Sequence, residues 1–131
     1  MLAIGIYTGN TTNSIIKGNN VMNNTMHGIS VSGNSNVIEN NNASGNSNYG
    51  ITLYNSLYNV IKDNVANNNG YNLFNVGGGG IALTNSSYNN VSMNVVAGNK
   101  FYGIYLHYTA YKVPSYESVL NSTYNLIENN V

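Results

Sequence analysis

Apolar residues stand two apart in short runs, and the runs recur at a fixed distance along the chain. Gly-Ile pairs at Gly5-Ile6, Gly28-Ile29, Gly50-Ile51, Gly80-Ile81 and Gly103-Ile104 are separated by 23, 22, 30 and 23 residues. Aligned on these pairs, Ile6, Ile29, Ile51, Ile81 and Ile104 fall into one column, and Val31, Leu53, Leu83 and Leu106 into a second. Ile16, Ile38, Ile61, Val91 and Ile127 form a third, and Val21, Ala43, Ala66 and Val96 a fourth. A spacing of two is the period of a β-strand, not of a helix. The pattern predicts short strands joined at corners, with each coil of about 22–23 residues stacked on the last.

The polar positions keep the same register. Asn follows Gly50 and Gly80 by nine residues and Gly28 by eight, then recurs after five and five more, and in the uninterrupted coils four residues return the chain to Gly. Asn36, Asn59, Asn89 and Asn125 mark one corner, Asn19, Asn41, Asn64, Asn94 and Asn130 a second, and Asn24, Asn46, Asn69 and Asn99 a third. Asn is expected there for two reasons. It tolerates positive φ at a tight corner, and stacked side chains bond amide to amide. A lone coil cannot offset the cost of ordering its own backbone. Five coils stacked as a parallel solenoid can, and residues 1–131 read as one such domain, or as a piece of a longer one.

Composition narrows the partners. Charged residues are 6% of the chain, against roughly 25% in ordinary soluble domains. Net charge is zero and Arg is absent, which excludes the dense cationic surface that nucleic acid requires. No apolar run is long enough to span a membrane as a helix. There is no Cys, hence no disulfide and no thiolate metal site. The start, Met1-Leu2-Ala3-Ile4-Gly5, shows no signal peptide. Six Asn-x-Ser/Thr sequons carry no information, because 30 Asn and 21 Ser plus Thr among 131 residues yield roughly five by chance.

The segments Gly80-Ile-Ala-Leu-Thr-Asn-Ser-Ser-Tyr-Asn-Asn-Val-Ser-Met-Asn94 and Tyr124-Asn-Leu-Ile-Glu-Asn-Asn130 resemble the repeat of the NosD-like family. That resemblance implies a right-handed parallel β-helix, an extracellular, cell-surface or periplasmic location, and contact with carbohydrate. A leucine-rich repeat has a similar period, but its Leu-x-x-Leu-x-Leu core is missing here.

Two insertions break the period. Seven extra residues lie between Asn69 and Gly80, in a loop over 70–79, and thirteen between Gly103 and Asn125, in a loop over 108–121. Long loops in compact domains concentrate function. The first enters the strand at Gly80 and the second leaves the strand at Gly103, so both flank one sheet. Its outward positions carry Thr52 and Tyr54, Ala82 and Thr84, Tyr105 and His107. Thr52, Tyr54, Thr84, Tyr105 and His107, with Tyr71, Phe74 and Tyr111 from the loops, make a candidate groove for a polysaccharide or cell-surface glycan.

Candidate chemistry is sparse. Lys17, Glu39 and Lys62 share one phase, which predicts a surface ion ladder. A hydrolase needs paired carboxylates in one cleft, and only Glu39, Asp63, Glu117 and Glu128 are available. A polysaccharide lyase remains as the enzymatic alternative, with His107 neutralising a uronate and Tyr54 or Tyr105 moving the proton. The resemblance also raises a copper-related role. However, His27 and His107 stand about three coils, roughly 15 Å, apart, so no metal site or other cofactor is expected. Tyr58, Tyr88 and Tyr124 precede the first corner Asn in consecutive coils, as a stacked staple or a flat sugar-binding face. Neither end carries a polar cap, so end-to-end self-association is a further expectation.

Overall fold

The computed structural model describes residues 3–72, 77–113, 116–120 and 122–131, and for 109–113 and 116–120 the backbone alone. Among the described residues every element is a strand. One parallel sheet is formed by β1 (Ile6–Thr12), β3 (Ile29–Asn34), β5 (Tyr49–Tyr54), β7 (Gly79–Thr84) and β9 (Tyr102–His107), in that order. A second is formed by β2 (Ile15–Lys17), β4 (Val37–Glu39), β6 (Val60–Lys62), β8 (Asn90–Ser92) and β12 (Leu126–Glu128). A third side is marked by single bridges that run Asn20–Asn42–Val65–Val95. The expected parallel solenoid of five coils is thus what the chain builds.

Register is in phase from coil to coil. Ile6, Ile29, Ile51, Ile81 and Ile104 pair in sequence across the first sheet, and Ile16, Ile38, Ile61, Val91 and Ile127 across the second. The interior members are sealed, with Ile29, Ile38, Ile51, Leu53, Ile61, Ile81, Leu83 and Val91 all at 0% exposure. Glycine at the head of the first four long strands, at Gly5, Gly28, Gly50 and Gly80, answers to close approach, not to backbone conformation. A Cβ on Gly50 would stand 2.6 Å from the Ala43 oxygen and 2.8 Å from both the Gly80 oxygen and Asn69 Nδ2.

The corners correct one expectation. The Asn columns do not carry the positive φ. Those residues point inward, and the residue just before each one takes the left-handed conformation. Asn13, Ser35, Tyr58, Tyr88 and Tyr124 lie at φ 52 to 58 before the first corner, and Asn40, Asp63, Met93 and Asn129 at φ 52 to 55 before the second. This leaves the Asn side chains free for the ladder. Asn64 Oδ1 accepts both the backbone N–H and the Nδ2–H of Asn41, each at 3.0 Å, and its own Nδ2 donates to Asn94 Oδ1 at 3.0 Å and to the Ile38 carbonyl at 2.9 Å. Each such side chain therefore ties its coil to the coils on both sides. Ser56, Ser86 and Ser122 form a fourth ladder that the alignment on Asn did not reveal, each Oγ accepting the backbone N–H one coil earlier at 3.1 Å.

The second insertion is regular. Thr109–Val113 (β10) and Tyr116–Leu120 (β11) pair as an antiparallel hairpin directly after β9. The ion ladder forms as expected, Lys17 Nζ at 2.8 Å and Lys62 Nζ at 3.1 Å from the two oxygens of Glu39.

Candidate functional site

The outward face of the β1–β3–β5–β7–β9 sheet has three rows across the coils. Alternation along the strands puts Thr52, Ala82 and Tyr105 in one row and Tyr54, Thr84 and His107 in the next, with both registers confirmed by the pairing. The third row was not anticipated. The residue before each strand glycine also faces out, which aligns Tyr49, Gly79 and Tyr102 and stacks His27 on Tyr49 at 5.9 Å. Two successive residues, the glycine and the isoleucine, turn inward at the head of each strand. Simple alternation therefore mis-phases the residue preceding them, and a search for aromatics before Gly-Ile would have found it.

Coil four has small side chains in two of its three rows, Gly79 between Tyr49 and Tyr102, and Ala82 between Thr52 and Tyr105. The rings lean over this gap. Burial raises the Tyr49 phenol above its usual range, and the neighbouring Tyr105 and Tyr102 phenols raise it further against a backbone hydrogen bond from Gly78. Tyr102 lies on Tyr105 at 4.4 Å and 12°, and Tyr105 on His107 at 5.5 Å and 20°. Ala82 is 1% exposed and Thr52 7%, although both stand at outward positions. Thr52 and Ala82, at the centre of the expected groove, are thus closed to solvent.

The row Tyr54–Thr84–His107 stays open. Tyr54 is 42% exposed, and Thr84 and His107 are partly exposed. Tyr54 and His107 stand two strand spacings apart, about 9.6 Å at the backbone, with the Thr84 hydroxyl on the floor between them. His107 is held from behind. Its carbonyl accepts Ser122 Oγ at 2.6 Å and the Asn85 N–H at 2.9 Å. Its Nδ1 lies 3.1 Å from the Tyr105 hydroxyl. When imidazole Nδ1 donates this bond, Nε2 is a base and the phenol O–H is free to donate. When the phenol donates it, Nε2–H is the donor.

Of the other expected site residues, Tyr71 is brought elsewhere. Its hydroxyl donates to the Gly98 carbonyl at 3.3 Å and the Lys100 ammonium lies 5.6 Å from its ring, at the adjoining corner. Phe74 lies outside the described residues, and of Tyr111 only the backbone, within β10, is described. Among the described residues no group of three or more His, Cys, Asp and Glu converges.

No curated protein and no solved structure matches the chain. One family model does, over residues 3–120, and it describes a right-handed β-helix region. With parallel sheets, in-register coils and inward Asn ladders along that same span, the chain belongs to the right-handed β-helix family.

Proposed function

We propose that this β-helix is a glycan-binding module of a cell-surface or secreted protein, and that one sugar ring is held in the Tyr54–Thr84–His107 row. The observation that carries this is the spacing of that row. The Tyr54 and His107 backbones, two strand spacings or about 9.6 Å apart, leave room for one pyranose ring on the Thr84 floor. The Tyr54 ring lies on one side and the edge of the His107 imidazole, stacked between Tyr105 and Tyr108, on the other, where the imidazole and the Thr84 hydroxyl offer directional bonds. The resemblance to NosD-like repeats is consistent with such a location, and the chain's lack of net charge favours neutral glycans. The test is affinity electrophoresis against a panel of neutral and acidic polysaccharides. Retardation by at least one of them, weakened at least tenfold in Tyr54→Ala and His107→Ala but not in Tyr7→Ala, is expected. Retardation unchanged in both row variants would refute the site.

A second reading has one specific observation behind it, the 3.1 Å contact between Tyr105 Oη and His107 Nδ1. That pair can take the proton from the carbon next to a uronate carboxyl and return it to the departing glycosidic oxygen, the C–O bond breaking as a C=C bond forms. Release of unsaturated oligosaccharides, abolished by Tyr105→Phe, would establish the enzyme. Binding without product favours the module.

A further inference from the structure

The corner between the two sheets carries an aromatic column apart from the glycan row. Tyr58, Tyr88 and Tyr124 stack at 5.2 and 5.0 Å, with interplanar angles of 24° and 11°. They are 59%, 47% and 77% exposed. Each sits at positive φ, at 57°, 58° and 53°, in a conformation that bulky residues avoid. Coils one and two fill the same position with Asn13 and Ser35, which tolerate it. The corner itself therefore does not need tyrosine, and three consecutive coils accept backbone strain to present it. Strain at an exposed position, kept coil after coil, is the signature of a site.

The geometry excludes one ligand chemistry and favours another. Both faces of the Tyr88 ring are covered by its neighbours, so the column is not a flat sugar platform. What it presents to solvent is a row of ring edges and hydroxyls at a repeat of about 5 Å, the strand spacing. The edge of an aromatic ring is the positive end of its quadrupole and prefers the face of another π-system. Three parallel edges span about 10 Å along the helix axis, the length of a flat molecule of two to three rings.

We propose that the Tyr58–Tyr88–Tyr124 column is a second binding site, which takes an elongated planar aromatic ligand lying along the solenoid axis with its face on the ring edges.

Thioflavin T, a planar two-part aromatic dye whose emission rises when it is held flat, serves as the probe. Saturable emission is expected with the intact chain. Tyr88→Asn interrupts the row but places at that corner the residue that coil one already uses. It should weaken dye binding at least tenfold while the melting temperature holds or rises. Tyr88→Phe keeps the ring edge and should keep the binding. His107→Ala, in the glycan row, should leave it untouched, so the two sites fail or stand separately. The proposal is overturned by the absence of saturable emission, or by full binding in Tyr88→Asn. A melting temperature that falls in Tyr88→Asn would also overturn it, because the column would then be a staple for the fold.

Discussion

Replacing Asn64 by Ala tests the ladder where it is most enclosed. Asn64 is 1% exposed, and its side chain makes five hydrogen-bonding contacts, of which the three from Nδ2 share its two hydrogens. Its oxygen accepts the N–H and the Nδ2–H of Asn41, and its Nδ2 donates to the carbonyls of Ile38 and Lys62 and to Asn94 Oδ1. Some partners have a second bond to fall back on. Asn41 Nδ2 keeps the Ile16 carbonyl at 2.9 Å, Asn94 Oδ1 keeps the Asn64 N–H at 2.9 Å, and the Lys62 carbonyl keeps the Asn40 N–H at 3.3 Å. The Asn41 N–H does not. An orphaned buried donor costs roughly 1–3 kcal/mol, and each lost bond whose partner is re-satisfied about 0.5–1.5. The expected loss is about 4 kcal/mol, a large share of the roughly 5–15 kcal/mol that holds a domain together. Asn19, at the partly exposed start of the same column, donates Nδ2 to the Lys17 carbonyl and to Asn41 Oδ1, and water reaches what its removal would expose. Asn19→Ala should cost about 1 kcal/mol. Urea unfolding followed by circular dichroism measures both. Equal costs for the two variants, or less than about 1 kcal/mol for Asn64→Ala, would refute the claim that inward amides hold the coils together. Asn64→Asp sharpens the test. Its carboxylate would face three acceptors, so it should be worse than Ala at pH 7 and recover toward Ala as acid protonates it.

Two other predictions follow from single groups. Burial lowers the pKa of His27, whose Nδ1 accepts the Tyr49 N–H at 3.4 Å beneath the Tyr49 ring. The unfolded chain then binds a proton more readily than the folded one, so this group's stability is full above the ordinary histidine range of about 6.5 and falls as pH drops below it; melting temperatures between pH 7 and pH 5 should decline less in His27→Phe than in the parent chain, and an unchanged slope would refute the assignment. Asn69-Gly70 is the one Asn-Gly step, the sequence most prone to deamidation through attack of the glycine nitrogen on the side-chain carbonyl, yet the Gly70 N–H is bound to the Asn46 carbonyl at 3.0 Å and Asn69 Oδ1 accepts the Asn46 N–H at 2.8 Å. Peptide mass mapping after mild alkaline incubation should find Asn69 intact in the folded chain and deamidated in urea, and equal rates in both would show that the ladder gives no protection.

The core and the ladders were legible because each is a repeated choice of one residue type at one phase, and a repeat shows itself in a single sequence. The parts that were missed are those where the backbone departs from simple alternation. Turning both Gly50 and Ile51 inward puts Tyr49 on the outer face, and the same step exposes Tyr102 beside Tyr105. Only contacts between coils reveal that Tyr102 and Tyr105 approach Tyr49 across coil four. Positive φ was expected at the corner Asn because that residue tolerates it, whereas here the preceding position takes it and the Asn is kept for its amide. The serine ladder was hidden by the richer asparagine signal, although Asn55-Ser56, Asn85-Ser86 and Asn121-Ser122 repeat in phase. The hairpin of β10 and β11 read as an irregular loop because an insertion has no second copy to be aligned with.

That separation of roles also indicates where such a fold can carry information. An inward Asn is fixed by its bonds to the coils before and after it, and an inward Ile by its column. The outward residue before each ladder Asn has neither constraint, only the strain of its backbone, roughly 1–2 kcal/mol for an ordinary side chain and less for Asn or Gly. Strain alone should therefore fill these positions with Gly, Asn, Asp and Ser. The third corner obeys, with Asn23, Gly45, Asn68 and Gly98, and the second nearly so, with Gly18, Asn40, Asp63 and Asn129 around Met93. The first departs three times running, and each time in favour of the same aromatic ring at the same angle. A single departure such as Met93 is compatible with drift against a small cost. Three in register, stacked on one another and open to solvent, are not what drift against strain produces, and the corner at Tyr58, Tyr88 and Tyr124 is where the surface of this scaffold departs furthest from what the scaffold requires.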